Sequence, residues 1–168
     1  MDVATQVPVE EYLETSYSPD REYRDGVLVE RNLGDKAHAL LQTLLTIYIG
    51  TRRKQWNVHV YTELRVKVRE KWYPIPDLCV YALPFEERYP EKPPLVWIEI
   101  LSHDDRMIDV WAKAAELVAN GVPYVWIIDP STLWSELRTA NGVEPVPENT
   151  LRIPGTPIVI PLADVMQA

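Results

Sequence analysis

Two carboxylates stand where the sequence otherwise runs apolar. Glu99 lies in Leu95-Val96-Trp97-Ile98-Glu99-Ile100-Leu101, and Asp77 in Pro74-Ile75-Pro76-Asp77-Leu78-Cys79-Val80. By strand parity Glu99 shares a face with Leu95, Trp97 and Leu101, where an ionised carboxylate is costly unless it is paired or bound to a metal. Taken alone, Glu99 reads as the partner of a buried arginine or lysine, as a residue at a solvated strand end, or as a metal ligand. Asp77 alone reads as a turn-closing aspartate. Together they read differently. Adjacent strands joined by a short excursion bring the two side by side, where they repel unless a cation lies between them. Oxygen ligands favour a hard ion such as Mg²⁺ or Mn²⁺, and there is no Cys/His cluster of the kind that holds zinc.

Lys113 is the cation that could serve these acids. A helix starting near Asp105 carries Lys113 about 12 Å along its axis and back over the preceding strand, level with Glu99. Asp109, four residues earlier on the same helical face, could hold it; the alternative is an ordinary surface i, i+4 pair. On residue physics alone, Glu22 and His38 read as surface residues, the one before an Asp25-Gly26 turn and the other near the start of a long helix.

These residues need a sheet with helices on its faces. Val9 to Thr15 predicts a short helix, followed by a turn at Ser18 to Asp20. Val27 to Arg31 reads as a strand. Leu40, Leu41, Leu44, Leu45, Ile47 and Tyr48 recur at helical spacing, so residues 35–54 form a helix whose basic end is Arg52-Arg53-Lys54. Residues 58–69 alternate as a half-buried strand. Ile75 to Leu83 and Leu95 to Leu101 follow as strands, the latter central. A helix capped by Asp104 or Asp105 runs to about Asn120 and ends at Gly121. Tyr124 to Ile128 is a strand stopped by Asp129-Pro130, and Leu133 to Thr139 is one more. The Leu95–Leu101 strand, the helix and the Tyr124–Ile128 strand form a right-handed crossover between parallel strands. The expected fold is a mixed α/β sheet flanked by helices, with an αβββαβ core.

Composition agrees with one folded domain. The 168 residues are 46% hydrophobic, and six tryptophans and nine tyrosines place polar-tipped rings at core edges or interfaces. The core is expected over about 20–140, with 141–168 as a Pro-rich wrap. A net charge of −8 argues against a passive nucleic-acid binder but not against an enzyme whose acidic site recruits a cation first. The single cysteine, Cys79, permits no internal disulfide. The opening MDVATQVPVEEYLE has no signal-peptide pattern, and no apolar run reaches a membrane span, so a cytoplasmic location is expected.

One set of motifs then falls into order: Glu22-Tyr23-Arg24-Asp25-Gly26-Val27-Leu28, His38, Pro76-Asp77, Glu99-Ile100-Leu101-Ser102, Asp109 with Lys113, Gly121-Val122, and Trp126-Ile127-Ile128-Asp129-Pro130. Over roughly residues 8–165 the chain resembles the Uma2 family of restriction-endonuclease-like proteins. The resemblance implies the PD-(D/E)XK nuclease fold, with Asp77 as its aspartate and Glu99 as its second acid. The lysine usual two residues after that acid is absent, because Leu101 stands there. Lys113, donated from the following helix, is then its substitute. Where the family often has an aromatic residue four places after the lysine, this chain has Leu117. Glu22 falls on the family's upstream glutamate, and His38 and Asp109 become possible additional site residues.

The implied activity is metal-dependent hydrolysis of DNA phosphodiesters. Asp77, Glu99 and the Ile100 carbonyl would hold Mg²⁺ or Mn²⁺. Arg65, Lys67 and Arg69, with Lys71 and Arg52 to Lys54, read either as phosphate contacts or as a solvated face. The alternative is an inactive nuclease-fold module for binding or assembly. Resemblance also raises a homodimer, with Trp56 or Trp134 at its interface.

Overall fold

The computed structural model describes residues 6–168; the first five residues of the opening stretch lie outside them. Helix α1 (Val9–Glu14) leads to a hairpin of β1 (Glu22–Arg24) and β2 (Val27–Val29). Its two-residue turn has positive φ at both Asp25 (50°) and Gly26 (91°), the conformation that Asp-Gly supplies most readily. Helix α2 (Lys36–Trp56) starts at Asp35, whose carboxylate accepts the N–H groups of Ala37 and His38, and stops at Asn57 in the left-handed region.

The main sheet follows. It contains β3 (His59–Thr62), β5 (Leu78–Tyr81), β6 (Val96–Ile100), β7 (Tyr124–Ile128), β8 (Ser135–Thr139) and β9 (Gly142–Glu144), hydrogen-bonded in that order. In this sheet only the pair β6 and β7 is parallel, and helix α3 (Met107–Ala119) connects the two strands. Strand β4 (Trp72–Tyr73) leaves this sheet and pairs with β1, so the first hairpin becomes a separate three-stranded sheet. The chain is therefore a mixed α/β fold with a six-stranded sheet and helices.

The sheet is covered on both faces, as its apolar central strands require. Leu78, Val80, Val96, Ile98, Ile100, Trp126 and Ile128 pack with Leu41, Leu45 and Ile49 of α2. Cys79, Trp97, Val125 and Ile127 pack with Ala114 and Leu117 of α3. Glu99 belongs by parity to the α3 side, which brings its carboxylate under that helix. Among the described residues, no helix is long and apolar enough to cross a membrane.

Several expectations are corrected. The alternating 58–69 segment is a strand only as far as Thr62, because Glu63 takes a left-handed conformation (φ 53°) and breaks the parity. The strand expected over Ile75 to Leu83 is shorter, and β1 and β4 pair where none was read from the sequence. Helix α3 starts after Arg106 with no side-chain cap; Asp105 instead accepts the Ser102 N–H. The C-terminal stretch is more than a wrap. It supplies β9 to the main sheet, then the hairpin β10 (Thr150–Arg152) and β11 (Val159–Pro161) and the short helix α4 (Leu162–Val165). Leu151, Ile153, Ile158, Ile160, Leu162 and Val165 complete the core on the α2 side. Trp56 is also inside that core and offers no interface; Trp134 is exposed.

Candidate active site

Four of the expected residues line one cavity of about 240 Å³: Glu22, Asp77, Glu99 and Lys113. Ile100 and Asp109 are on its wall as well. The elements explain the convergence. Strands β5 and β6 are antiparallel neighbours with Leu78 opposite Ile98, so Asp77 at the start of one meets the end of the other. Oδ2 of Asp77 accepts the Ile100 N–H at 2.7 Å, one residue beyond Glu99. Asp77 is thus held by the backbone of the strand that carries the second acid.

Lys113 reaches in from α3. Its Nζ lies 2.7 Å from Glu99 Oε1 and 2.8 Å from Glu22 Oε1. Glu22 Oε1 also accepts the Ile75 N–H at 3.0 Å, which fixes it to the segment leading into β5. Trp97 Nε1 donates to Glu99 Oε1 at 2.8 Å. Burial pushes the Glu99 carboxyl up to about 6; the Lys113 ammonium pulls it down, and Asp77 and Glu22 push it up. Burial alone would weaken the Lys113 charge, but Glu22 and Glu99 outweigh it and raise its pKa. Lys113 is therefore a charged ammonium at neutral pH.

On the other side of Asp77 stand His38 and Arg31. His38 Nε2 is 3.2 Å and Arg31 Nη2 3.4 Å from Asp77 Oδ1. Burial lowers the His38 pKa, yet the hydrogen bond and charge of Asp77, with Glu63 beyond, raise it overall. Arg31 joins these residues although no motif in the sequence points to it. It pairs with Glu63, which Gln42 also holds through its side-chain amide at 2.9 Å. Its only sequence signal is its position just after a short strand that is itself next to Glu22.

Other expected residues lie apart or are otherwise engaged. Asp109 does not hold Lys113: it is exposed and faces Arg106 at 3.8 Å, while Glu22 and Glu99 take the lysine. Arg65 offers no phosphate contact. It is buried, its guanidinium donating to the Tyr12 and Thr15 carbonyls and to Asp20, and it lies 4.2 Å from the Tyr12 ring centre. The left-handed turn at Glu63 is what sends it inward. Lys67 pairs with Glu70, and Arg69 grips both oxygens of Asp25 at 3.0 Å, so the three form no free basic stripe. Arg52 stacks on Tyr48, about 20 Å along α2 from His38.

The donor chemistry suits a hard cation. Glu22, Glu30, Asp77, Glu99, Asp105 and Asp109 line the cavity against only Arg31 and Lys113 as cations. Asp77 and Glu99 are oxygen donors of the kind Mg²⁺ and Mn²⁺ take. Each is already satisfied by a basic side chain, and among the described residues no three His, Cys, Asp or Glu side chains are grouped to hold a metal ion.

Known proteins bear on both the fold and the family. The fold matches a crystal structure described as that of "a putative nuclease belonging to DUF820 from Anabaena variabilis ATCC 29413", with a TM-score of 0.78. The match covers 96% of this chain and 98% of that one at 21% identity, a level at which the likeness concerns the fold. No curated protein matches the chain. In class, the fold is a mixed α/β architecture, a six-stranded sheet flanked by helices, shared with that structure. The chain belongs to the Uma2 family, whose model, described as "Putative restriction endonuclease", matches residues 9–159.

Proposed function

We propose that the protein is a single-domain, Mg²⁺- or Mn²⁺-dependent endonuclease that hydrolyses DNA phosphodiester bonds at the Asp77–Glu99–Lys113 centre. The observation that carries this reading is the position of Lys113. Leu101 occupies the place where this class of site usually has a lysine, and the Lys113 ammonium meets Glu99 from the neighbouring helix instead. A positive charge is thereby restored beside the second acid by another route. The excess of carboxylates over cations in the cavity supports the metal requirement, since a bare phosphate would be repelled there.

In this reading Asp77, Glu99 and the Ile100 carbonyl would hold the ion. When bound, it supplies Lewis-acid stabilisation of the phosphate charge and lowers the pKa of a water. Lys113 donates a hydrogen bond to the attacking water or to a non-bridging phosphate oxygen, offsetting charge that grows in the transition state. Glu22 fixes the Lys113 side chain in that position. His38 orients Asp77. The test is incubation of the purified protein with supercoiled plasmid and with single-stranded DNA in Mg²⁺, Mn²⁺ or EDTA. Cutting that EDTA abolishes supports the reading. An absence of cutting together with an absence of Mn²⁺ binding in calorimetry overturns it.

A second reading, an inactive nuclease-fold binding module, is favoured by one observation. Both candidate ligands already have basic side-chain partners, Asp77 in His38 and Arg31 and Glu99 in Lys113. In that case the ion pairs are the finished structure, and Mn²⁺ does not displace them.

A further inference from the structure

We infer that Arg31 is the side chain that grips the scissile strand's phosphate, and that without DNA it is parked on Asp77, where it competes with the metal ion. This rests on the nuclease reading above. Three features of Arg31 carry it.

Arg31 lines the same cavity as Asp77, Glu99 and Lys113, and it is one of only two cations there. The other, Lys113, is committed to two carboxylates at 2.7 and 2.8 Å. Arg31 is anchored on one side and loosely held on the other. Nη1 is bound by Glu63, whereas Nη2 reaches Asp77 only at 3.4 Å, at the outer limit of a hydrogen bond. A guanidinium has five N–H donors in a rigid fork that matches a phosphate, so the loosely held side is the one free to turn to a ligand in the cavity.

The anchor is itself built. Glu63 holds a left-handed backbone conformation (φ 53°) although it is not glycine, a strained state that persists where its surroundings enforce it. That conformation ends β3 and turns the Glu63 carboxylate to Arg31 and to Gln42, whose amide also donates to the Asp77 carbonyl at 3.0 Å. The Gln42–Glu63–Arg31 chain thus ties the guanidinium to the backbone that carries Asp77.

The consequence is a coupling. With no DNA, Arg31 offsets the Asp77 charge and weakens metal binding. When a phosphate arrives, the guanidinium turns to it, and Asp77 gains affinity for the ion. Metal and DNA therefore bind with mutual reinforcement.

The test separates the two roles by sign. Mn²⁺ binding is measured by calorimetry in the absence of DNA. Duplex binding is measured by fluorescence anisotropy with a labelled duplex in Ca²⁺. Arg31→Ala is expected to bind Mn²⁺ several-fold tighter and the duplex about tenfold weaker, the equivalent of roughly 1.4 kcal/mol. Arg31→Lys, which keeps the charge but loses the fork, is expected to weaken duplex binding and leave Mn²⁺ binding near wild type. Glu63→Gln frees Arg31 to press on Asp77 and is expected to weaken Mn²⁺ binding, opposite in sign to Arg31→Ala. If wild type binds both probes but Arg31→Ala leaves duplex binding unchanged, or weakens both together as a merely structural residue would, the inference fails and the nuclease reading stands. If wild type binds neither Mn²⁺ nor duplex, the nuclease reading fails and takes this one with it.

Discussion

The Lys113 ammonium lies 2.7 Å from Glu99 Oε1, although the lysine belongs to a helix and the acid to the strand before it. It is also 2.8 Å from Glu22 Oε1, so one cation bridges two carboxylates that come from different sheets. That bridge joins the first hairpin to the main sheet, and it makes Lys113 both a structural tie and the candidate chemical group.

Removing the ammonium exposes this double role. In Lys113→Met, Glu22 and Glu99 face each other with no side-chain cation between them. A broken buried ion pair costs several kcal/mol, and partial exposure here reduces the loss to about 2 kcal/mol. Thermal unfolding should show that loss at neutral pH. Added Mn²⁺ should raise the variant's Tm more than wild type's, because the ion replaces the missing charge. An equal Mn²⁺ effect on both proteins would show that the two carboxylates do not share a cation site.

His38 touches Asp77 and, in the proposed mechanism, would act only through it. Removing a group that orients a metal ligand typically costs about 10- to 100-fold in metal affinity or activity. His38→Ala should therefore weaken Mn²⁺ binding within that range while leaving the protein folded by circular dichroism. Wild-type affinity in the variant would remove His38 from the site.

Arg65 lies away from the cavity but is buried, with four hydrogen bonds to the Tyr12 and Thr15 carbonyls and the Asp20 carboxylate. In Arg65→Met the Tyr12 and Thr15 carbonyls and Asp20 each lose a charged donor, and loss of such bonds is expected to destabilise the fold by about 2–3 kcal/mol. Denaturant titration measures this directly. DNA cutting per folded molecule should be unchanged, in contrast to what a phosphate-contacting arginine would show.

Alkaline pH should unfold the protein through three buried acids. Burial raises the pKa of the Cys79 thiol well above its ordinary 9.0, and burial likewise raises those of the Tyr12 and Tyr81 phenols above 10.0. The Tyr12 hydroxyl donates to the Arg21 carbonyl and that of Tyr81 to the Lys92 carbonyl, so ionisation would set each oxygen against another. A folded-state pKa raised in this way gives stability that is complete below the unfolded value and is lost as pH rises. Unfolding free energy should fall progressively above about pH 9, because an unfolded cysteine thiol ionises at pH ~8.5. At pH 8, Ellman's reagent should detect no thiol in the native protein and one in guanidinium. A rapidly reacting native thiol would contradict the burial of Cys79.

Much of this was legible in the residues. The parallel crossover from β6 to β7 followed from apolar strands spaced by one helix, and the approach of Lys113 to Glu99 followed from helix rise against strand rise. The inward course of Arg65 is not legible, because alternation over 58–69 hides the reversal at Glu63: left-handed φ at a non-glycine residue has no compositional signature. For Asp109, i, i+4 spacing identifies a neighbour but not a partner, since Lys113 points inward to acids from other elements. Arg31 could not be found from spacing at all. Its partners lie 32 and 46 residues away, a proximity only the folded sheets create. The C-terminal prolines obscured a hairpin because proline argues against strands, yet Pro161 sits at the end of β11, where it is tolerated.

The most direct test is a single-turnover plasmid-cutting experiment in Mn²⁺ with wild type, Asp77→Asn and Lys113→Ala side by side. The account predicts EDTA-sensitive cutting by wild type, with both variants slower by about 100-fold or more. Cutting retained in Lys113→Ala but lost in Asp77→Asn would leave the acid centre standing and contradict the claim that the helix-borne lysine replaces the one missing at Leu101.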